Sequence, residues 1–246
     1  MRRDGIILCV LGADTGVGKT IITGLLLRHA RSKGGRAIAL KPFSSGDRAD
    51  ASALLGGGSN EVELDFINPW HYEAPLAPLI AARNSGKTVP ALDEVVAWIG
   101  THREQDKVVI VEGVGGLLTP IAETYTFLDV SKALGAGLVV VVRNRLGAIN
   151  QARMCYETVK RHRAGHGVVV LSGERESDCS TKTNREAIEE FCPGWDVLEL
   201  PFVGEPGSGE SDETIAKKFK KPLAQILQAG RNGLVLCATN RKVNKK

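Results

Sequence analysis

A glycine-rich turn, Gly12-Ala13-Asp14-Thr15-Gly16-Val17-Gly18-Lys19-Thr20, follows the apolar run Ile6 to Leu11 and precedes Ile21-Ile22-Thr23-Gly24-Leu25-Leu26-Leu27. Strand, turn and helix in that order leave few folds open. Such a turn aims backbone N–H groups at one point, and the helix N-terminus adds partial positive charge there. Lys19 is placed to reach the terminal phosphates of a nucleotide, and the Thr20 hydroxyl to ligate Mg²⁺. The pattern predicts a nucleoside triphosphate as ligand; the competing reading is a tight turn with an exposed lysine. The spacing is unusual. In the common phosphate loop the first glycine stands five positions before the last. Here Ala13 holds that position and Gly12 lies one residue earlier.

Apolar strands alternate with helical stretches along most of the chain. The strand candidates are Ile6–Leu11, Ala37–Lys41, Lys107–Val111, Leu138–Val142, Gly167–Leu171 and Val197–Leu200. Several are unbroken Val/Ile/Leu runs, the mark of strands buried on both faces. Helices are expected over Thr20–Lys33, Pro75–Asn84, Leu92–Arg103, Thr126–Leu134, Ile149–Arg163, Thr183–Phe191 and Asp212–Gln228. The expected fold is α/β: a mostly parallel sheet with helices on both faces, a three-layer sandwich of the P-loop NTPase kind, with its ligand at the carboxyl ends of the strands. The stretches Ser44–Asn60 and Gly204–Asp212 read as loops beside the ligand.

A chain of 246 residues fits one core, placed at residues 1–228, with 229–246 as a basic extension. The net charge of +4 resides largely in Arg241-Lys242-Val243-Asn244-Lys245-Lys246, which reads as a solvated end. No basic stripe interleaves with aromatics, so no nucleic-acid partner is expected. No run is long enough to span a bilayer, so no membrane partner is expected either. Cys9, Cys155, Cys179, Cys192 and Cys237 show no metal or redox spacing and suggest a reducing, cytoplasmic setting.

Polar residues stand where the strands end. Lys41 closes the second strand, before Pro42-Phe43-Ser44-Ser45-Gly46, and a cation there faces the phosphate loop. Glu112 ends Val108-Val109-Ile110-Val111 and opens Glu112-Gly113-Val114-Gly115-Gly116. It is placed to hold Mg²⁺ directly or through water, and the glycines let a ligand approach the backbone. Asp50 reads only as a helix-start or loop charge. The turn Arg143-Asn144-Arg145-Leu146-Gly147-Ala148-Ile149-Asn150 opens a helix and offers a second anion site or a plain helix start.

From about Gly12 to Phe202 these blocks resemble the dethiobiotin synthetase family, ATP-dependent carboligases that close the ureido ring in biotin synthesis. The turn Gly12 to Thr20 resembles that family's modified phosphate loop. Lys41-Pro42 with Ser45-Gly46 resembles the block of its catalytic lysine and a substrate-contacting serine. Asn68-Pro69, Glu73-Ala74-Pro75 and Pro78 are similar to a segment in the same order, and Glu112 to Gly116 to its Mg²⁺-binding glutamate and glycine loop. Leu146-Gly147-Ala148-Ile149-Asn150 is similar to a turn that contacts the substrate carboxylate across a dimer interface.

The resemblance implies roles. Lys41 and Lys19 are the catalytic lysines, and Gly16, Val17, Gly18, Lys19 and Thr20 cradle the phosphates. Glu112, Gly113, Val114 and Gly115 border the nucleotide, while Pro201, Phe202 and Val203 contact its base. Thr20, Asp50 and Glu112 hold Mg²⁺. Thr15 and Ser45 touch the diamine, and Leu146, Gly147 and Asn150 serve the neighbouring subunit of a homodimer. The family's adenine-reading asparagine has no counterpart in Val170-Leu171-Ser172-Gly173-Glu174-Arg175-Glu176, so the resemblance implies ATP or another triphosphate. The implied partners are 7,8-diaminononanoate and CO₂ or bicarbonate. Carbamate formation, phosphorylation of the carbamate and ring closure follow in that order. The rival reading is a partition-type switch ATPase acting through protein partners. Its signature lysine would stand where Asp14 stands. A glutamine-dependent amide synthase would need a glutaminase domain that the chain has no length for.

Overall fold

The computed structural model describes residues 5–32, 34–56, 61–104, 107–203 and 219–228. Its main sheet has six strands, all paired in parallel. They are β1 (Ile6–Gly12), β2 (Arg36–Leu40), β5 (Lys107–Gly116), β6 (Gly137–Arg143), β7 (Gly167–Ser172) and β8 (Asp196–Leu200), in the spatial order β2-β5-β1-β6-β7-β8. Successive side chains of a strand point to opposite faces. In β1 every residue from Ile7 to Gly12 is buried, and in β6 every residue from Gly137 to Val142. Both faces are therefore covered, as the unbroken Val/Ile/Leu runs require.

The cover comes from α1 (Lys19–Ser32), α6 (Phe127–Leu134), α7 (Ala148–His162) and α8 (Asn184–Phe191), with α5 (Leu92–Thr101) packed on α6, α4 (Pro78–Ser85) off the main sheet, and a further helix over 220–228. Helix α6 starts at a capping box: the Thr126 side chain and Asp129 satisfy each other's backbone N–H groups. Thr126 is thus the cap and not the first helical residue. Helix α4 begins at Pro78 and not at Pro75, since Pro at the first turn costs no hydrogen bond.

Two further expectations are corrected. Ser44–Asn60 is not a plain loop: it takes in β3 (Phe43–Ser45) and α2 (Ala49–Leu55). Strand β3 pairs in parallel with β4 (Trp70–Tyr72) in a second, two-stranded sheet, and α3 (Glu61–Ile67) lies between. Phe43 stacks on Trp70 within this small sheet with ring centroids 5.0 Å apart, and it meets Phe127 of α6 edge-on at 6.3 Å, which anchors the sheet on the core. Strand β5 runs past Val111 to Gly116, so the glycines after Glu112 continue the strand. The loop expected at Gly204–Asp212, the first part of the helix expected over Asp212–Gln228 and the extension 229–246 lie outside the described residues.

Cys9, Cys155 and Cys192 are buried free thiols and Cys179 is an exposed one. Burial pushes the Cys9 and Cys155 thiols up to about 12. They act as small core residues. Among the described residues no helix is long and apolar enough to cross a membrane.

Candidate active site

Strands β1, β5 and β2 are neighbours, and the residues at their carboxyl ends meet. After β1 the chain turns through Gly16 and Gly18, at φ +70° and +95°, a region that only glycine enters freely. Helix α1 then begins at Lys19 and Thr20. The Lys19 ammonium is buried and donates to the Asp14 carbonyl at 3.0 Å and to the Gly115 carbonyl at 2.8 Å. Burial is the main influence on it, reinforced by the Lys41 charge. Together they pull Lys19 down to about 8, against smaller upward pulls from Glu112 and Asp50.

The Thr20 hydroxyl lies 2.8 Å from Asp50 Oδ1 and 2.8 Å from Glu112 Oε1. Lys41 donates to Glu112 Oε1 at 2.5 Å, Asp50 Oδ2 at 3.1 Å and the Gly113 carbonyl at 3.1 Å. Lys41 is 3% exposed and Glu112 is fully buried. Burial alone would lower the Lys41 pKa, but the Glu112 and Asp50 carboxylates outweigh it and hold the lysine above its ordinary value. For Asp50, burial works upward, and the Lys41 charge and the Thr20 hydrogen bond overcome it, leaving the carboxyl below its usual range. Two lysines, one hydroxyl and two carboxylates thus form one cluster.

A frame behind this cluster fixes Lys41 and Asp50. The Lys41 N–H donates to the Ile67 carbonyl at 2.9 Å, and Asn68 Nδ2 donates to the Lys41 carbonyl at 2.6 Å. Fully buried Asn68 accepts on Oδ1 from Ser44 Oγ (2.8 Å) and Arg48 Nε (2.9 Å). Arg48 also donates to the Asn68 carbonyl at 2.8 Å and pairs with Asp65 at 2.8 Å. Arg48 immediately precedes α2, which carries Asp50 as its second residue. One asparagine therefore ties the end of β2 to the start of α2. Its loss would strand several buried partners, each worth about 1–3 kcal/mol. Asn68→Ala is expected to lose roughly 2–4 kcal/mol of stability, read from urea unfolding midpoints; a change below about 0.5 kcal/mol would show that the frame is dispensable.

Beside the loop, on the far side from Lys41, lies a cleft of about 320 Å³. Gly16, Val17 and Gly18 form one wall and Pro201, Phe202 and Val203 the other, with Ser172 to Arg175 at the end of β7. The expected base-contacting residues are therefore next to the expected phosphate cradle.

The carboxylates, the hydroxyl and the adjoining loop are hard oxygen donors of the kind Mg²⁺ takes. Glu112 Oε2 is buried without a hydrogen-bond partner, an acceptor with a bonding position to spare. No cluster of three or more His, Cys, Asp or Glu is present among the described residues. Nucleotide Mg²⁺ sites have that character, with one or two carboxylates and the phosphates completing the shell. The residues fit the ion.

Ser45 Oγ, at the end of β3, is likewise buried without a partner. Thr15 is exposed, its N–H on Asp14 Oδ1 at 2.7 Å. Val114 is half-buried against the core. Leu146, Gly147 and Asn150 stand apart from the cluster at the start of α7. The Leu146 side chain is 82% exposed and its N–H donates to Asp178 Oδ2 at 2.8 Å. Sequence reasoning assigned no role to Asn68, Arg48 or Arg143. Arg143 ends β6 as Lys41 follows β2, and that shared position was the available signal.

Residues 7–205 match a family model described as an AAA domain. The chain is 36% identical to the ATP-dependent dethiobiotin synthetase of Anaeromyxobacter sp. (strain K), covering 79% of this chain and 89% of that one. It is 34% identical to the enzyme of the same name from Bacillus subtilis (strain 168), covering 74% and 81%. With the Corynebacterium glutamicum enzyme the identity is 32% over 89% and 99% of the two chains. Among solved structures, the fold is similar to a putative plasmid partition protein of Borrelia burgdorferi B31 bound to AMPPNP (TM-score 0.58, 12% identity, 92% of this chain and 99% of that one). It is also similar to a Cyanothece McdA variant in complex with ATP (TM-score 0.56, 12% identity, 91% and 95%). Identities of 12% establish the fold alone and give the partition reading no further support. The dethiobiotin synthetases match at about three times that identity over most of their length. The chain belongs to the family of ATP-dependent dethiobiotin synthetases.

Proposed function

We propose that this protein closes the ureido ring of dethiobiotin from 7,8-diaminononanoate, CO₂ and a nucleoside triphosphate in biotin biosynthesis. The convergence of Lys19, Thr20, Lys41, Asp50 and Glu112 at the ends of three adjacent strands carries the reading. One neutral amine of the diamine attacks CO₂ and loses a proton, giving a carbamate. A carbamate oxygen takes the γ-phosphoryl group and the nucleoside diphosphate leaves. The second amine attacks the carbonyl carbon of that mixed anhydride, closes the ring and expels phosphate.

Negative charge gathers in turn on the carbamate, the phosphoryl group and the leaving diphosphate. Phosphoryl transfer asks the protein mainly to position and to neutralise. The loop N–H groups and Lys19 would hold the phosphates. Lys41, held protonated by its carboxylate neighbours, would stand beside carbamate and phosphoryl oxygen. Ser45, with a buried unpartnered hydroxyl, would hold an amine of the substrate. Thr15, at the loop, would sit close by. Thr20, Asp50 and Glu112 would hold Mg²⁺, which neutralises phosphate charge. Pro201, Phe202 and Val203 would enclose the base. Electrostatic help of this kind is strongest where water is excluded, as it is around Glu112 and Lys41.

The diamine also carries a carboxylate. The start of α7, with Leu146, Gly147 and Asn150, suits it as a helix N-terminus. That turn stands apart from its own cluster and displays an exposed leucine, which supports a homodimer in which each subunit completes its partner's site. Mixing Lys41→Ala with Asn150→Ala subunits is then expected to restore about a quarter of wild-type activity, since half of the dimers are mixed and each has one intact site. Activity that stays at the level of the separate variants would rule out shared sites.

The direct test is incubation with the diamine, bicarbonate, Mg²⁺ and ATP, CTP, GTP or UTP in turn, followed by mass detection of the cyclic urea and of the nucleoside diphosphate. Absence of the cyclic urea with every triphosphate overturns the proposal.

A further inference from the structure

Arg143 is the last residue of β6, the strand next to β1, and lies against the phosphate loop. Its guanidinium directs two N–H groups at one acceptor. Nη2 lies 2.6 Å and Nε 3.1 Å from the Gly16 carbonyl. The remaining side of the fork, Nη1, donates to Glu174 Oε1 at 2.7 Å. Arg145 approaches the same oxygen at 3.7 Å. Glu174 stands just beyond the end of β7, and both it and Arg143 border the cleft beside the loop. A second tie comes from the backbone: the Ala13 N–H donates to the Val141 carbonyl of β6 at 2.9 Å. The loop is thus strapped to β6 on both flanks.

A trans peptide carries its C=O and N–H on opposite edges. With the Gly16 carbonyl held by Arg143, the N–H of Val17 is turned the opposite way. Gly16 and Gly18 on either side have the left-handed φ values of an anion-binding nest. Glycine-rich loops lose much conformational entropy when a ligand orders them, and a loop ordered beforehand binds more tightly for that reason. Lysine offers no such fork and cannot reproduce the arrangement.

We propose that Arg143, oriented by Glu174, is a positioning residue that pre-orders the phosphate loop, so that affinity for the polyphosphate chain is set independently of the base. The inference rests on the triphosphate reading above. It differs from a role in reading the base, which the location of Glu174 in the cleft would also allow, and from direct contact of Arg143 with phosphate.

The test is calorimetric titration of the full chain with inorganic tripolyphosphate, ATP and CTP, using wild type, Arg143→Ala, Arg143→Lys and Glu174→Gln, with steady-state kinetics alongside. Arg143→Ala is expected to weaken all three ligands by the same factor, about tenfold, with Arg143→Lys recovering only part and Glu174→Gln losing about threefold. The KM for triphosphate rises accordingly, while kcat at saturation changes less than about threefold and the KM for the diamine is unmoved. Unchanged tripolyphosphate binding in Arg143→Ala overturns the proposal, as do losses that differ between ATP and CTP. Tighter binding in Glu174→Gln also overturns it, because an arginine that touched phosphate directly would be freed by losing its carboxylate. Arg143→Lys and Glu174→Gln keep the test valid if the alanine variant does not fold. Wild type that binds none of the three ligands would instead sink the triphosphate reading itself.

Discussion

Lys41→Ala is expected to lower kcat by roughly a hundredfold or more, the loss usual when a preorganised electrostatic donor is removed from a dry site. The ammonium is held between Glu112, Asp50 and the Gly113 carbonyl, and its charge is retained because the carboxylates outweigh its burial. Alanine removes that charge and leaves Glu112 buried with a Thr20 contact and no cation. Breaking a buried pair by deleting one partner typically costs about 3–5 kcal/mol. Half-exposed Asp50 moderates this, since water screens its side of the cluster. Melting temperature must therefore be measured with turnover, and kcat compared well below both transitions. A folded Lys41→Ala enzyme with near-normal kcat would reduce Lys41 to a strand-end residue that pairs with Glu112.

Lys19→Ala has the second large effect. It is expected to weaken triphosphate binding by about a hundredfold, some 2–3 kcal/mol, the worth of a charge-assisted contact to phosphate. Its stability should behave unlike that of Lys41→Ala. Burial dominates Lys19 and no carboxylate contacts it directly; two backbone carbonyls do. Removing a poorly solvated ammonium offsets the loss of those two hydrogen bonds, so the ligand-free melting temperature should change by only a few degrees. Titration calorimetry and thermal melts on the same samples separate the two quantities. Wild-type affinity in this variant would undo the phosphate-loop assignment.

The contrast between the two lysines also marks what could be read from the chain beforehand. Lys19, Lys41 and Glu112 are legible because each ends or follows an unbroken apolar run, and parallel sheets place such positions along one edge. The six strands of the main sheet are legible for the same reason: burial on both faces demands continuous Val, Ile and Leu. Asp50 is not legible from the residues. Its helix is short, begins without a side-chain cap, and owes its place to the long-range grip of Asn68 on Arg48. The small sheet is hidden likewise, since Phe43–Ser45 and Trp70–Tyr72 are too short for any alternation to register. Arg143 entered the sequence reading only as the first residue of the turn that opens α7, and its acceptor is a carbonyl 127 residues away, which no local pattern reports.

The contacts of the pocket span long stretches of chain: Thr20 to Glu112 is 92 positions, Lys19 to Gly115 is 96 and Lys41 to Glu112 is 71. Strands β1, β2 and β5 must all be zipped together before these groups can meet, and non-local parallel pairing is the slow part of folding. Chains caught partway would hold helices and some sheet yet have no grip on a polyphosphate. A fluorescent nucleotide added during refolding should therefore light up only in the final kinetic phase, and the ligand should shift the population solely by capturing molecules that have already finished.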